Sequence, residues 1–242
     1  MNSGATRAAL RDQLAQAGLL PSGYVPDLTS VNPVAESNRL RYLDLFRRNL
    51  DIAADLGCPA IRVDTVAAPR SIPDSDYEEA FERLSGIWAE AAALAMDARV
   101  KLVWEFEPGF VFNKPREIVE LHEKVAHPNF YILFDTAHAF VCSQPGPHQY
   151  GPPEALRTGV EGMLDLCAGR IGAIHLVDTD GSLYNDETST HLPLGEGVID
   201  FDRLAPKLRA AGGDWWTIDL SFYPRAWERL GESLARAMQM TR

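Results

Sequence analysis

The sequence predicts a single α/β domain over residues 1–242, a parallel (β/α) barrel, and three observations carry that expectation. Its 242 residues suffice for one sizeable core and match the usual size of such barrels. From Cys58 onward, short β-rich runs alternate with amphipathic helical stretches, the order that builds a parallel sheet covered by helices. Polar residues that look out of place in apolar runs fall at the ends of the expected strands, the side on which parallel α/β folds bind ligands.

The chain opens with MNSGATRAALRDQLAQAGLL, which lacks a basic segment followed by an apolar run and a small-residue cleavage site. No signal peptide and a cytoplasmic location are therefore expected. Residues 20–28 hold a weak strand, interrupted by Pro21 and Pro26, which cannot donate to a ladder. The helix after it sets Leu43, Phe46, Leu50 and Ala53 on one stripe and stops at Gly57, a residue suited to a left-handed cap. Clear strands are expected at residues 60–66, 101–106, 130–135, 171–177 and 215–220. Ser75, three residues before Glu78, forms a capping box, and Phe81, Leu84, Trp88, Ala91 and Ala95 share a face of the helix that follows. Shorter helices are expected over residues 115–125, 153–167, 201–211 and 224–240, the third capped by Asp200 beyond the LGEG turn. A complete barrel of this kind has eight strand and helix units. Six strands can be counted, so the barrel is expected to lack its first one or two units, or to be closed by residues 1–30 in some other way.

Composition narrows the class of protein. With 46% hydrophobic and 24% charged residues and no long uninterrupted apolar run, the chain reads as soluble and not membrane-inserted. A formal charge of −11 disfavours nucleic acid, whose nonspecific binding relies on cations that neutralise phosphates. Cys58, Cys142 and Cys167 form no CxxC pair and are expected as buried thiols.

The chemistry gathers at the strand ends. In KLVWEFEPG, alternation puts Glu105 and Glu107 on one side of the strand and Trp104 and Phe106 on the other. YILFDTAHAF ends a strand with Asp135, followed three residues later by His138. IGAIHLVD carries His175 within an apolar run, and WWTIDLSF embeds Asp219 between Ile218 and Leu220. Taken singly, Asp135 is a helix cap, His175 a satisfied core histidine and Asp219 half of an ion pair. The same holds for Asp178 and Asp180 as turn residues. Together, four consecutive strands each deliver one metal-competent side chain at the corresponding end. Glu105, Asp135, His175 and Asp219 form an oxygen- and nitrogen-rich set without thiolate, suited to Mn, Mg, Co or Zn, with Mn or Mg the first choice. Arg62 on the first clear strand reads as an ion-pair partner before an anion anchor, and Trp215, Trp216 and Trp227 read as packing.

At these residues the chain resembles the sugar phosphate isomerase/epimerase superfamily, the xylose isomerase-like TIM-type barrels that include inosose isomerases and dehydratases, ketose 3-epimerases and endonuclease IV. The likeness covers about residues 36–230 and is carried by WEFEPG, the D-x-x-H of Asp135 and His138, HLVD from His175, HLPLGEGVIDF from His191, and IDLSFYPRAW. It implies that Glu105, Asp135, His175 and Asp219 hold one divalent metal, with Asp219 standing where relatives usually have Glu. It further implies that His138 touches substrate oxygens or transfers a proton, and it sets His191 at the offset of a metal-binding histidine of endonuclease IV, where a contact to a substrate phosphate or hydroxyl is the milder reading. Glu107, where many relatives have no acid, reads as a substrate contact or a support behind the ligands, with a surface salt bridge as the alternative. The expected function is a metal-dependent sugar, ketose or inosose isomerase or epimerase that removes a proton next to a carbonyl. Glu105 is the first candidate base, and His138 or Asp219 returns the proton. The expected partner is a small sugar or polyol. A keto-polyol dehydratase is the first alternative; a non-catalytic remnant, or a subunit whose barrel a second copy or a partner completes, is another. An abasic-site nuclease ranks last, because AIRVDTV supplies no histidine for a three-metal cluster.

Overall fold

In the computed structural model, which describes residues 4–145 and 148–242, strand and helix alternate as the sequence predicts. Five parallel strands form one sheet in the order β1 (Ala60–Val63), β2 (Lys101–Glu105), β3 (Phe130–Asp135), β4 (Ile171–Leu176) and β7 (Trp216–Ile218). A two-stranded antiparallel hairpin, β5 (Leu183–Tyr184) and β6 (Thr188–Ser189), lies outside that sheet.

The expected sixth strand at residues 20–28 is reduced to a single bridge. Tyr24 N–H donates to the Ala60 carbonyl (2.8 Å) and its own carbonyl accepts from Arg62 N–H (3.0 Å), so Tyr24 touches the free edge of β1 and no more. Pro21 and Pro26 on either side have no N–H with which to extend the ladder. The sheet is therefore half of a barrel, curled around a concave face.

Eight α-helices lie among the described residues. The first, α1 (Gly4–Gln16), buries no side chain and leans on α2 (Arg39–Leu56), with Arg7 paired to Asp55. In α2, Leu43, Phe46, Leu50 and Ala53 are buried as a stripe, and Gly57 caps it at φ 74°. The next helix, α3 (Tyr77–Asp97), begins two residues after Ser75, and the expected capping box does not form. Ser75 Oγ donates instead to Asp76 (2.7 Å), and a short 3-10 turn led by Pro73 starts the helix. The remaining helices are α4 (Pro115–Val125), α5 (Thr136–Cys142), α6 (Gly159–Cys167), α7 (Phe201–Ala211) and α8 (Ala226–Met240). None of the described helices is long and apolar enough to cross a membrane.

Strand alternation sorts the two faces of the sheet. Ile61, Leu102, Trp104, Ile132, Phe134 and Ile174 point outward into the main core beneath the helices. Ala60, Val103 and Leu133, with Tyr131 and Ala173 against them, form a separate small cluster on the concave face. Ala60, Val103, Leu133 and Ala173 line a cavity of about 100 Å³ that Arg62 and His175 also line. The apolar floor thus lies below, and the polar residues gather one layer higher, at the C-terminal rim. Cys58, Cys142 and Cys167 are buried and free. Trp227, expected to pack, is 89% exposed.

Candidate metal centre

Neighbouring strands are in register so that their terminal residues meet. Glu105 ends β2, Asp135 ends β3 opposite His175 of β4, and Asp219 follows β7, its N–H donating to the Leu176 carbonyl (3.3 Å). The chain thereby brings together Glu105, Asp135, His175 and Asp219, with one ligand atom from each within 4.8 Å of the others. From Nδ1 of His175 the distances are 2.8 Å to Glu105 Oε1, 3.4 Å to Asp219 Oδ2 and 3.8 Å to Asp135 Oδ2.

The other oxygen of each carboxylate is taken. Arg62 Nη1 donates to Glu105 Oε2. Oδ1 of Asp135 caps α5, accepting from Ala137 N–H (2.8 Å) and His138 N–H (2.9 Å). Oδ1 of Asp219 accepts from Ser221 N–H (2.9 Å) and Ser221 Oγ (2.6 Å). What remains turned inward is Glu105 Oε1, Asp135 Oδ2 and His175 Nδ1, three buried atoms with no hydrogen-bond partner among the described residues, plus Asp219 Oδ2. Buried polar atoms left without partners cost on the order of 1–3 kcal/mol each, more when charged. Those three atoms and Asp219 Oδ2, converging from three carboxylates and an imidazole, fit a divalent cation. The close approach of His175 to Glu105 is not aligned as a hydrogen bond, and once His175 is neutral the two atoms offer lone pairs to a common third atom.

Electrostatics agree. Burial opposes charge on Glu105, but Arg62 and His175 outweigh it and hold the carboxyl down at about 2. Burial likewise works against Asp219, yet His175 and His191 keep it far below the usual carboxylate range. Burial would lower His175, but Glu105 and Asp219 raise it well above an ordinary histidine. In the metal-free protein a proton on His175 thus stands in for the positive charge the carboxylates require.

The other expected site residues surround this quartet. His138 is buried, its Nδ1 2.8 Å from Ser189 Oγ on β6, and burial lowers its pKa. Both ring nitrogens of His191 are buried without a hydrogen-bond partner among the described residues, with Nδ1 3.7 Å from Asp219 Oδ1. Atoms of Asp135, His138 and His191 converge in a second group, and those of Glu105, Glu107 and His138 in a third. Burial, reinforced by Asp64 and Glu105, pushes Glu107 up to about 8.

A model of the xylose isomerase-like TIM barrel family matches residues 2–241. The chain belongs to that family. A protein of Methanocaldococcus jannaschii described as uncharacterized is 27% identical over 194 residues, 77% of this chain, and the match spans 59% of that relative's length. Among solved structures, a D-tagatose 3-epimerase-like protein superposes with a TM-score of 0.73 at 19% identity, covering 99% of this chain and 86% of its own. The IolI protein with a binding zinc atom gives 0.73 at 19% identity, covering 97% and 80%.

Within this xylose isomerase-like barrel, two features of the rim were not foreseen. Asp64, two residues after Arg62 and on the same face, is 9% exposed and accepts from Arg62 Nη2 (2.9 Å). Burial, opposed by Arg62, raises its pKa to about 6. Arg62 is thus committed to Glu105 and Asp64, as an ion-pair partner. The alternation in AIRVDTV was the available signal. The second feature is the hairpin. Asn185 and Asp186 both have positive φ, closing it with a tight turn of the primed kind, and the sequence YNDET carried that signal. A β-carbon on Gly109 would fall 1.9 Å from the Glu187 carbonyl oxygen, so glycine is what lets the hairpin settle on the loop after β2. There it brings Ser189 to His138 and the Thr188 hydroxyl to Glu107. Asp178, by contrast, is a turn residue: its carboxylate accepts from the N–H groups of Thr179, Gly195 and Ile199 and fixes the LGEG segment.

Proposed function

We propose that this chain is a divalent-metal-dependent isomerase or epimerase of a sugar or related polyol, acting by proton removal next to a carbonyl. The observation that carries the reading is the convergence of Glu105 Oε1, Asp135 Oδ2, His175 Nδ1 and Asp219 Oδ2, one atom per strand end. Family membership and the fold shared with a ketose-epimerase-like protein support it.

Glu105, Asp135, His175 and Asp219 would hold the metal, Mn in the first instance. When bound, such an ion supplies Lewis-acid stabilisation of negative charge developing on substrate oxygens. Arg62 and Ser221 orient two of the ligands from behind, the outer contacts that fix ligand geometry in metal sites. His138, steadied by Ser189, is set to hydrogen-bond a substrate hydroxyl, and His191 offers a second imidazole to the same cleft.

The test is to load the protein with Mn²⁺ and incubate it with a panel of ketoses, aldoses and inososes in heavy water. Deuterium at the carbon beside the carbonyl, without net loss of water, is the expected result. An unsaturated product would reassign the protein to the dehydratases, and no exchange with any sugar would sink the proposal.

A further inference from the structure

Two aromatic side chains outside the main core pair with each other at the surface. Tyr184, 39% exposed on the hairpin, and Phe222, 63% exposed in the loop after β7, stack with ring centroids 4.9 Å apart and planes 11° from parallel. Phe222 holds its ring there with φ at 65°, a left-handed conformation that is costly for a bulky residue and that recurs at functional sites.

Neighbouring contacts fix where this stack lies. Tyr184 stands directly opposite Thr188 in the hairpin, so the two side chains leave by the same face, and the Thr188 hydroxyl reaches Glu107 beyond β2. The hairpin also rests on the loop after β2, where the Glu187 carbonyl meets Gly109, and Ser189 holds His138 beyond β3. Phe222 arrives from the other side, directly after Ser221, which binds Asp219 beyond β7. In the sheet β2 and β7 are three steps apart, with the ends of β3 and β4 between them. The stack therefore joins the two ends of the ligand array across the rim, and His138 and His191 are buried within the ring so formed.

We infer that Tyr184 and Phe222 are a latch across the mouth of the cleft, parting to admit a sugar-sized ligand and re-forming once it is inside. Its service to catalysis rests on the function proposed above. One stacked pair shifts an equilibrium by only about two- to tenfold, and both rings already face water, so parting them exposes little further apolar surface. The hairpin is held toward β2 and β3 through Glu187, Thr188 and Ser189, so the parting falls at the stack. Because Phe222 adjoins Ser221, opening also loosens the grip on Asp219, and closing restores it.

The test is the rate at which diethylpyrocarbonate modifies His138 and His191 in the full chain, followed by peptide mass spectrometry, with half-buried His122 on α4 as the internal control for general loosening. Tyr184→Ala and Phe222→Ala are expected to speed both reactions by about two- to tenfold, the worth of one stacked pair, and to leave His122 unchanged. Tyr184→Phe keeps the stack and should react as wild type. Tyr184→Cys with Phe222→Cys, joined by a short bismaleimide while the three native thiols stay buried, should react about tenfold or more slowly than the same variant unjoined. Removal of Mn²⁺ by a chelator from the loaded proteins should follow the same order. Unchanged rates in both alanine variants, or a joined pair that reacts as fast as the unjoined one, would overturn the latch. A wild type that takes up no Mn²⁺ while the histidine rates shift as expected would fail the proposed function and leave the latch standing.

Discussion

Nδ1 of His175 lies 2.8 Å from Oε1 of Glu105, yet both atoms are buried without a hydrogen-bond partner among the described residues. Two polar atoms held this close and left unbonded are costly unless a third partner sits between their lone pairs. The quartet is expected to take up one Mn²⁺ per chain, and Asp135→Ala or His175→Ala to abolish the uptake, as equilibrium dialysis with metal analysis will show. At a free concentration of about 100 Kd, binding adds about 2.7 kcal/mol of stability, roughly 5–10 °C in Tm for a domain of this size.

Metal uptake should release protons. His175 is raised well above its ordinary value by Glu105 and Asp219, so near neutral pH the metal-free site holds a proton that the metal must displace. Because protons compete with the metal for His175 more strongly as pH falls, Mn²⁺ affinity should drop from pH 8 to pH 6. Calorimetry in buffers of different ionisation enthalpy will count the protons; an affinity that does not change over this range would contradict the assignment.

The aspartate at the fourth position already reaches its neighbours, because Ser221 draws its Oδ1 back while Oδ2 stands 3.4 Å from His175. Lengthening it by Asp219→Glu is therefore expected to weaken Mn²⁺ binding. Ser221→Ala removes one hydrogen bond to a charged group, worth on the order of 1.5 kcal/mol, and should raise the metal Kd about tenfold.

Arg62 neutralises two buried carboxylates at once. Arg62→Met leaves Glu105 and Asp64 facing each other unpaired, which should cost about 3–5 kcal/mol and lower Tm by roughly 10 °C. Mn²⁺ should narrow that deficit by supplying positive charge to Glu105. Melting curves with and without the metal check both statements.

Gly109 makes a sharper structural test. A methyl group there meets the main chain of Glu187, so Gly109→Ala is expected to lift the hairpin and free Ser189 from His138. The readouts are faster proteolysis between residues 181 and 190 and a changed His138 ring signal by NMR, with a stability loss of about 1–3 kcal/mol.

The parts of this design most legible in the sequence are the ones where a single pattern decides the outcome. KLVWE, FYILFD and IGAIHL are apolar runs of strand length, and each ends on or carries a residue of the quartet. Asp135 shows why either single reading was incomplete: one oxygen is a helix cap and the other faces the ligand cluster. The hairpin was hidden because SLYNDETST is polar apart from Leu183 and Tyr184, too short an apolar run to read as a strand, and only its turn residues speak. Residues 20–28 gave the opposite problem, since Leu20, Tyr24 and Val25 suggest a strand that flanking prolines limit to one bridge. Ser75 lost its capping role to Pro73, whose turn fixes where the helix starts, a backbone effect that no spacing rule registers.

Pinning the outer oxygen of every ligand carboxylate also sorts ions by size. Calcium asks for six to eight oxygens and often a bidentate carboxylate at a long bond, which needs side chains free to swing. Here Arg62, the first turn of α5 and Ser221 prevent that swing. Smaller ions that accept few protein donors and fill their remaining positions with water meet no such obstacle, so the frame is expected to act as a sieve that turns away the larger ion.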